Sequence, residues 1–408
     1  MGGAPFPGAF GVECMRDAYD VIIAGAGPAG SSVAIHLAMS GLNVMLVEQK
    51  KFPRPKLCGE FISPECRDHF ERLGVGRSII SSDPSTISET VFYSSRGHQV
   101  TVPSSWFGER MALGLSRAVM DDVLLRRAKE VGVEVVEGGT VVGPRINTDS
   151  VHGLKIRIGA DELEAEALLT IDATGRARIL ARKLNHTHKQ KPKLIAFKAH
   201  FQNTRVAPGA CEIYFYNGGY GGLSSIESGE SNLCFIVSAE QVKRCNSDPD
   251  RVMHEMVMKN PRASYTLATA TTSSDWLSAS WESFGRQSPA PAKGLLAIGD
   301  AAAFIDPFTG SGMLMALESG ELAAEVILRH RYDLKTPTLA TDYTTAYNAK
   351  FHSRLRICSL LRRAAFRPRL TEWGVAIFGA SERFRNRVAR ATRSSAPNHR
   401  PVRTSENQ

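Results

Sequence analysis

Residues 19–49, YDVIIAGAGPAGSSVAIHLAMSGLNVMLVEQ, constrain the fold more than any other part of the chain. An apolar run meets glycines, a helix of small residues follows, and a second apolar run ends in the acid Glu48. Strands that are apolar on both faces belong to parallel sheets covered on each side, so the segment predicts a βαβ unit. Gly25, Gly27 and Gly30 stand in G-x-G-x-x-G between strand and helix. The first suits a tight turn, the second lets backbone approach a pyrophosphate, and the third lets the helix pack closely on the strand. A dinucleotide phosphate is therefore expected over the stretch Gly25, Ala26, Gly27, Pro28, Ala29 and Gly30, where free amides and the helix dipole favour anions. Glu48, followed by Gln49, closes the second strand and can accept ribose hydroxyls.

A second motif of the same kind lies far along the chain, in GLLAIGDAAAFIDPFTGSGMLMALESGELAAEVIL (294–328). A buried-type strand ends at Gly299-Asp300; Pro307 and Gly310-Ser311-Gly312 precede a helix that Met313 enters. Asp300 can bond polyol hydroxyls, and the amides of Gly312 and Met313 can meet oxygens of a ring carrying developing negative charge. Two helix N-termini offered by one chain suit the two ends of one long cofactor.

Between these motifs, residues 87–103 read as a hairpin turning at Gly97, and SRAVMDDVLLRRAKEVG (116–132) as a helix opening on Ser116. A meander of strands follows, its last member re-entering the main sheet at Asp172. From 193 to 286 the texture becomes short strands, with LIAFKAHF, CEIYFYN, the loop GGYGG and LCFIVSA. The expected fold class is α/β: a Rossmann-like FAD/NAD(P)-binding domain from 19–192 and 287–330, an inserted β-rich substrate domain at 193–286, and a helical C-terminal cap at 331–393. Residues 1–18 read as an unstructured extension and 394–408 as a disordered tail.

Charge and cysteine usage narrow the class. The net charge of +9 is concentrated in residues 350–403, which hold fourteen Lys or Arg against two acids. A near-neutral body with a basic end does not suit a nucleic-acid binder; it suits anion capture or peripheral membrane contact. Trp373, Ile377, Ala380, Phe384, Val388 and Ala391 recur at helical spacing among arginines, the pattern of a helix covering a substrate pocket or lying on a membrane surface. In the preceding helix Arg354 and Arg362 interrupt the apolar stripe. No apolar run reaches spanning length, and the N-terminus lacks the pattern of a secretory signal, so a cytoplasmic location is expected. The seven cysteines are scattered without a CxxC pair and are expected to be free thiols. No metal is expected, since the histidines lack ligand spacing and His186-Thr187-His188 sits in a Lys-rich loop.

Five motifs in order, GAGPAG with Glu48, FPRPKLCGEFISPE (52–65), LSRAVMDDVLLRRA (115–128), DATGR (172–176) and GDAAAFIDPFTGSGM (299–313), resemble the FAD-dependent oxidoreductases of the glutathione-reductase type. Within them the resemblance is to the geranylgeranyl reductase branch, related to flavin hydroxylases and halogenases. It implies non-covalent FAD, an arginine near the cofactor matching Arg117, and a segment beside the flavin matching Arg54, Lys56, Cys58, Gly59 and Glu60. Reductases of this branch carry a cysteine linked to turnover where Cys58 stands; Arg54 and Lys56 would favour its thiolate if they face it, and the alternative is a packed free thiol. Halogenases have a Lys soon after this segment and a Trp-x-Trp-x-Ile-Pro motif, neither of which this chain has. The aromatic stretch of prenyl reductases is replaced here by Tyr214-Phe215-Tyr216 and Gly218–Leu223, where Tyr216 and Tyr220 either hold an apolar substrate and donate a proton or serve as core.

The resemblance favours reduction of a C=C bond in a hydrophobic isoprenoid or polyketide-like substrate, with Cys58 and Tyr216 as catalytic candidates. A flavin monooxygenase and an electron-transfer flavoprotein serving a quinone are the alternatives. Electrons would come from NADPH or NADH docking transiently, or from a donor protein, because no second glycine fingerprint is present for a nicotinamide cofactor.

Overall fold

The computed structural model describes residues 18–185, 193–281, 285–304, 310–366 and 381–392. Strand β1 (Tyr19–Ala24), helix α1 (Pro28–Met39) and strand β2 (Val44–Glu48) form the expected unit, with β1 and β2 parallel from Val21↔Val44. The long strand Asp161–Asp172 lies parallel on the other side of β1, pairing Tyr19 with Ala167 and Ala24 with Asp172. Leu295–Ala297 and Glu134–Glu137 complete a run of five parallel strands, at opposite ends of the row. The first half of Asp161–Asp172 pairs antiparallel with Ser150–Ile158, which pairs in turn with Gly139–Asn147; this is the meander that rejoins the main sheet.

Small residues let the layers approach closely. A Cβ on Gly30 would lie 1.9 Å from the Gly25 carbonyl oxygen, and one on Gly320 would lie 2.7 Å from the Ala29 carbonyl oxygen. Gly320 belongs to the helix Gly312–Arg329, so α1 and that helix pack backbone to backbone, with the Ser32 hydroxyl donating to the Leu317 carbonyl at 3.2 Å. Both helices thereby start at the carboxyl edge of the parallel strands, where open α/β sheets bind ligands.

The second sheet runs in the order Thr271–Thr272, Leu194–Gln202, Ser231–Ser238, Gly219–Ser225, Ala210–Tyr216, Glu89–Tyr93, Gln99–Pro103, with Leu277–Trp281 also on the Leu194–Gln202 strand. The 87–103 hairpin therefore departs from the expected division of the chain. It joins this sheet instead of the dinucleotide domain, because Glu89–Tyr93 pairs parallel with Ala210–Tyr216. One face of the sheet, carrying Phe197, Tyr214, Tyr216 and Phe235, is covered by short helices that supply Val242, Val252 and Ala263. The opposite face, with Ala196, Phe215, Tyr220 and Ile236, packs toward Leu57 and Phe304 of the first layer.

The helix Pro337–Ala365 closes the far side of Gly312–Arg329, with Tyr343, Tyr347 and Phe351 buried and the Tyr343 hydroxyl donating to the Ala297 carbonyl at 3.0 Å. Arg354, which broke the apolar stripe in the sequence, is buried against Glu318 with Nη1 to Oε2 at 2.6 Å. In the helix Glu382–Ala391, Arg385 lies over the Trp106 ring at 5.4 Å while Arg383, Arg387 and Arg390 are exposed. Trp373, Ile377 and Ala380, the Phe384 side chain, the 186–188 histidines and both terminal segments fall outside the described residues. Among the described residues no helix is long and apolar enough to cross a membrane.

Removing one partner of a buried pair strands the other charge. Arg354→Met is expected to cost about 3 to 5 kcal/mol in urea unfolding, and Arg354→Met with Glu318→Leu to recover most of it. A double variant as unstable as the single one would show that the pair does not act as a unit.

Candidate functional site

At the carboxyl edge of the parallel strands, between the two helix N-termini and the second sheet, lies a cavity of about 520 Å³. Each fingerprint glycine has a separate structural reason. Gly25 turns at φ +104°, where a Cβ would strike the Ala173 carbonyl oxygen at 2.5 Å. A Cβ on Gly27 would meet only Arg117 Nη2, at 3.9 Å, so its backbone is open to the cavity; Gly30 serves helix packing. Pro28 opens α1 and, with Ala29, lines the wall. Ala26 does not line it, because its amide donates to Glu48 Oε2 at 3.0 Å and holds that carboxylate at the end of β2. Gln49 follows Glu48 along the wall.

Cations dominate this end. Arg54 reaches Asp121 with Nη1 at 3.1 Å and Glu48 with Nη2 at 3.5 Å, while its buried Nε has no hydrogen-bond partner. Arg117, first residue of the helix Arg117–Glu130, grips Asp121 at 2.8 and 2.7 Å. Burial alone would lower the pKa of this guanidinium, but Asp121 outweighs it and leaves it raised. Lys56 is lowered by desolvation and then by the neighbouring charges of Arg117, Arg54 and Arg176. Such mutual repulsion is relieved by a polyanion. An exposed Gly27 backbone, an orphaned Arg54 Nε and clustered cations together fit the pyrophosphate of FAD.

The second motif faces the same space. Gly299, at φ +57°, donates its amide to Ser319 Oγ at 2.9 Å, and Asp300, Gly310, Gly312 and Met313 line the wall. Burial raises the Asp300 pKa, opposed by Arg176, Arg117 and Lys56. Ser311 is buried at the helix start outside the lining, and Pro307 lies outside the described residues. Gly59 lines the wall with open space where a side chain would be.

Cys58 is half-buried in the wall. Its Sγ accepts the Glu60 amide at 3.5 Å, and its carbonyl accepts Asn232 Nδ2 at 3.1 Å. The Arg117 guanidinium is a hydrogen-bonding and electrostatic partner of the sulfur, while Arg54, expected there, is given to Asp121 and Glu48. Cys234, one of the scattered thiols, also lines the cavity, its pKa raised by burial.

Tyr216 is corrected as a catalytic candidate. It sits on the helix-covered face of the second sheet, its hydroxyl donating to the carbonyls of Tyr220 and Ile236, both at 2.9 Å. Alternation along a strand sends neighbours to opposite faces. Tyr220 is on the cavity side and meets Phe366 edge-on at 6.0 Å.

A buried charge cluster that no sequence motif marks stands behind Cys58. Glu60, fully buried at φ +53°, accepts from Lys198 Nζ at 2.9 Å, His200 Nε2 at 2.7 Å and the Arg117 amide at 2.9 Å. Lys198 and His200 alternate along LIAFKAHF on the face that also carries Ala196, and this polar interruption of an apolar face was the available signal. Burial would raise the Glu60 pKa, but the His200 bond, Lys198 and the Arg117 amide hold it below the ordinary value of 4.5. A depressed carboxyl stabilises the fold above its unfolded pKa, and that contribution is lost as pH falls through the folded one. Glu60→Gln should therefore cost about 3 kcal/mol at pH 7, with the gap to wild type closing below about pH 4. Denaturant unfolding across this range checks it; a gap independent of pH would remove the charge from the explanation.

Comparison with known proteins agrees with this geometry. The family model described as FAD binding domain matches residues 18–325. The chain is 28% identical over 320 residues to a digeranylgeranylglycerophospholipid reductase of Methanosarcina acetivorans, covering 76% of this chain and 75% of that one. It is 26% identical over 367 residues to a menaquinone reductase of Mycobacterium tuberculosis, covering 86% of each. The solved structure of the flavin-dependent brominase Bmp2 superposes with TM-score 0.78 at 24% identity over 92% of this chain and 93% of that one, a likeness of fold.

Proposed function

The chain belongs to the FAD-binding-domain family, and from that premise we propose that it is a reductase that saturates a C=C bond in a hydrophobic isoprenoid or polyketide-like molecule. The observation that carries this reading is the change in character along one cavity. Cationic, glycine-lined wall gives way to Leu57, Trp281 and Phe304, behind which stand Phe215, Tyr220 and Ile236, and Cys58 lies in the same wall. Such a chamber excludes water from an apolar ligand beside a cofactor. The two relatives named as reductases favour reduction, whereas the brominase likeness speaks for the fold alone.

FAD bound here would supply a hydride to one carbon of the double bond. The protein's part is to bind, orient and exclude water. Gly27 and the start of α1 would receive the pyrophosphate with Arg54 and Arg117, Glu48 the ribose hydroxyls, and Asp300 the polyol. The amides of Gly312 and Met313 would face the carbonyl end of the ring. Cys58 Sγ, held by the Glu60 amide and the Arg117 guanidinium, would pass a proton to the second carbon.

The test is anaerobic reduction of the FAD-loaded protein by NADPH or NADH, then addition of a prenylated lipid extract. Reoxidation without oxygen and a product heavier by two hydrogens are expected. Cys58→Ala should keep its yellow colour and its reduction by nicotinamide while slowing reoxidation about 100-fold, the usual scale of a lost proton donor. A product formed only with oxygen would make the chain a monooxygenase, and reoxidation by quinone without lipid product an electron carrier; either contradicts the proposal.

A further inference from the structure

Arg176 is the cation of the cavity wall that the cofactor reading leaves over. It follows the strand Asp161–Asp172 in the single turn Gly175–Ala177. Its guanidinium carbon lies 5.0 Å from the Trp281 ring centroid and 5.3 Å from that of Phe304. Those rings meet edge to face at 5.2 Å and 83°. Three segments distant in sequence thus fix one guanidinium against two rings, which limits its rotamers and aims its donors.

Its hydrogen bonding is incomplete. Nη1 is buried and has no partner, and among the described residues no carboxylate makes an ion pair with Arg176. Arg176 as a whole is half-buried, and the fully buried arginines are answered: Arg54 and Arg117 by Asp121, Arg354 by Glu318. Desolvation accordingly lowers the Arg176 pKa, only partly offset by Asp300. A buried donor left without a hydrogen-bond partner is costly, and the cost is recovered when a ligand brings an acceptor.

We infer that Arg176 receives the carbonyl oxygen of a substrate whose reducible C=C bond is conjugated to that carbonyl, with the apolar body on the Leu57, Trp281 and Phe304 wall. The inference rests on the reductase reading and narrows its substrate from any alkene to an enone. Bound FAD in its reduced form would supply a hydride to the β-carbon, the π pair of the C=C bond would move toward the carbonyl, and the oxygen would gain negative charge. Arg176 Nη1 is placed to stabilise that charge where it develops. The α-carbon would then take the proton of Cys58 Sγ, leaving the thiolate beside Arg117, and the carbonyl would re-form to give the saturated ketone. An isolated double bond would gain nothing from this arginine.

The test uses FAD-loaded full-length protein with two probes, β-ionone, an isoprenoid enone, and myrcene, a terpene hydrocarbon without oxygen. Wild type is expected to bind both, with the β-ionone carbonyl stretch shifted to lower frequency by the guanidinium. Arg176→Met should weaken β-ionone at least about tenfold, as for a lost hydrogen bond to a charged group. It should abolish the frequency shift and leave myrcene affinity and FAD content unchanged, and Arg176→Lys should restore part of the shift. An unshifted carbonyl in wild type overturns the inference with no variant required. Loss of FAD from Arg176→Met makes the residue a flavin ligand and overturns it too. Equal binding of both probes to wild type and variant overturns the enone and leaves the reductase standing, while binding of neither probe removes the apolar chamber and both readings together.

Discussion

Ala29 lies so close to Gly320 and Gly299 that added methyl groups would sit 2.7 Å from its carbonyl oxygen and 3.0 Å from its own Cβ. This contact between α1 and the helix Gly312–Arg329 lets two helices more than 280 residues apart in sequence begin side by side. The free amides of both N-termini then converge on one edge of the sheet, with β1 and Leu295–Ala297 on either side of Asp161–Asp172. A larger residue at Gly320 would separate the helices and, with them, the two halves of the cofactor site, while one at Gly30 would push α1 off the Gly25 turn. The long helix Pro337–Ala365 braces this pair from behind through Arg354 and Glu318, so an ion pair remote from the cavity helps to hold its geometry.

Charge divides the cavity. At the strand edge Arg54, Lys56 and Arg117 crowd together, and Asp121 and Glu48 answer them only in part. At the second sheet the wall turns aromatic. The strand Leu194–Gln202 spans this division: Ala196 joins the apolar cluster while Lys198 and His200 hold Glu60. Glu60 thereby ties the Cys58 loop to the second sheet and to the start of the helix Arg117–Glu130, so the sulfur's position depends on residues about 140 places away in the chain.

The βαβ unit, the Gly299-Asp300 turn and the meander were legible because each rests on local chemistry: turn glycines, strand-length apolar runs and a terminal acid. Most residues proposed for the cofactor line one cavity for the same reason, while Ala26, Gly30 and Ser311 shape the loops behind it. What escaped the sequence depends on long-range pairing. The Glu89–Tyr93 hairpin strand finds its partner 121 positions later at Ala210–Tyr216, and no local signal marks a parallel pairing at that distance. Tyr216 and Tyr220 could not be told apart until the short helices were seen to cover one face of the sheet. Arg176 stood inside a recognised motif, yet its meaning required Trp281 and Phe304 from two other segments.

The site requires one cofactor lying across both glycine-marked helix starts, and the most direct test is titration of flavin-free protein with FAD, followed by quenching of flavin fluorescence. Wild type should saturate at one FAD per chain, and Gly27→Val, which fills the open backbone without touching the packing at Gly30, should fold normally and fail to bind. Absence of FAD uptake by the wild type, or undiminished uptake by Gly27→Val, would contradict the assignment of this cavity.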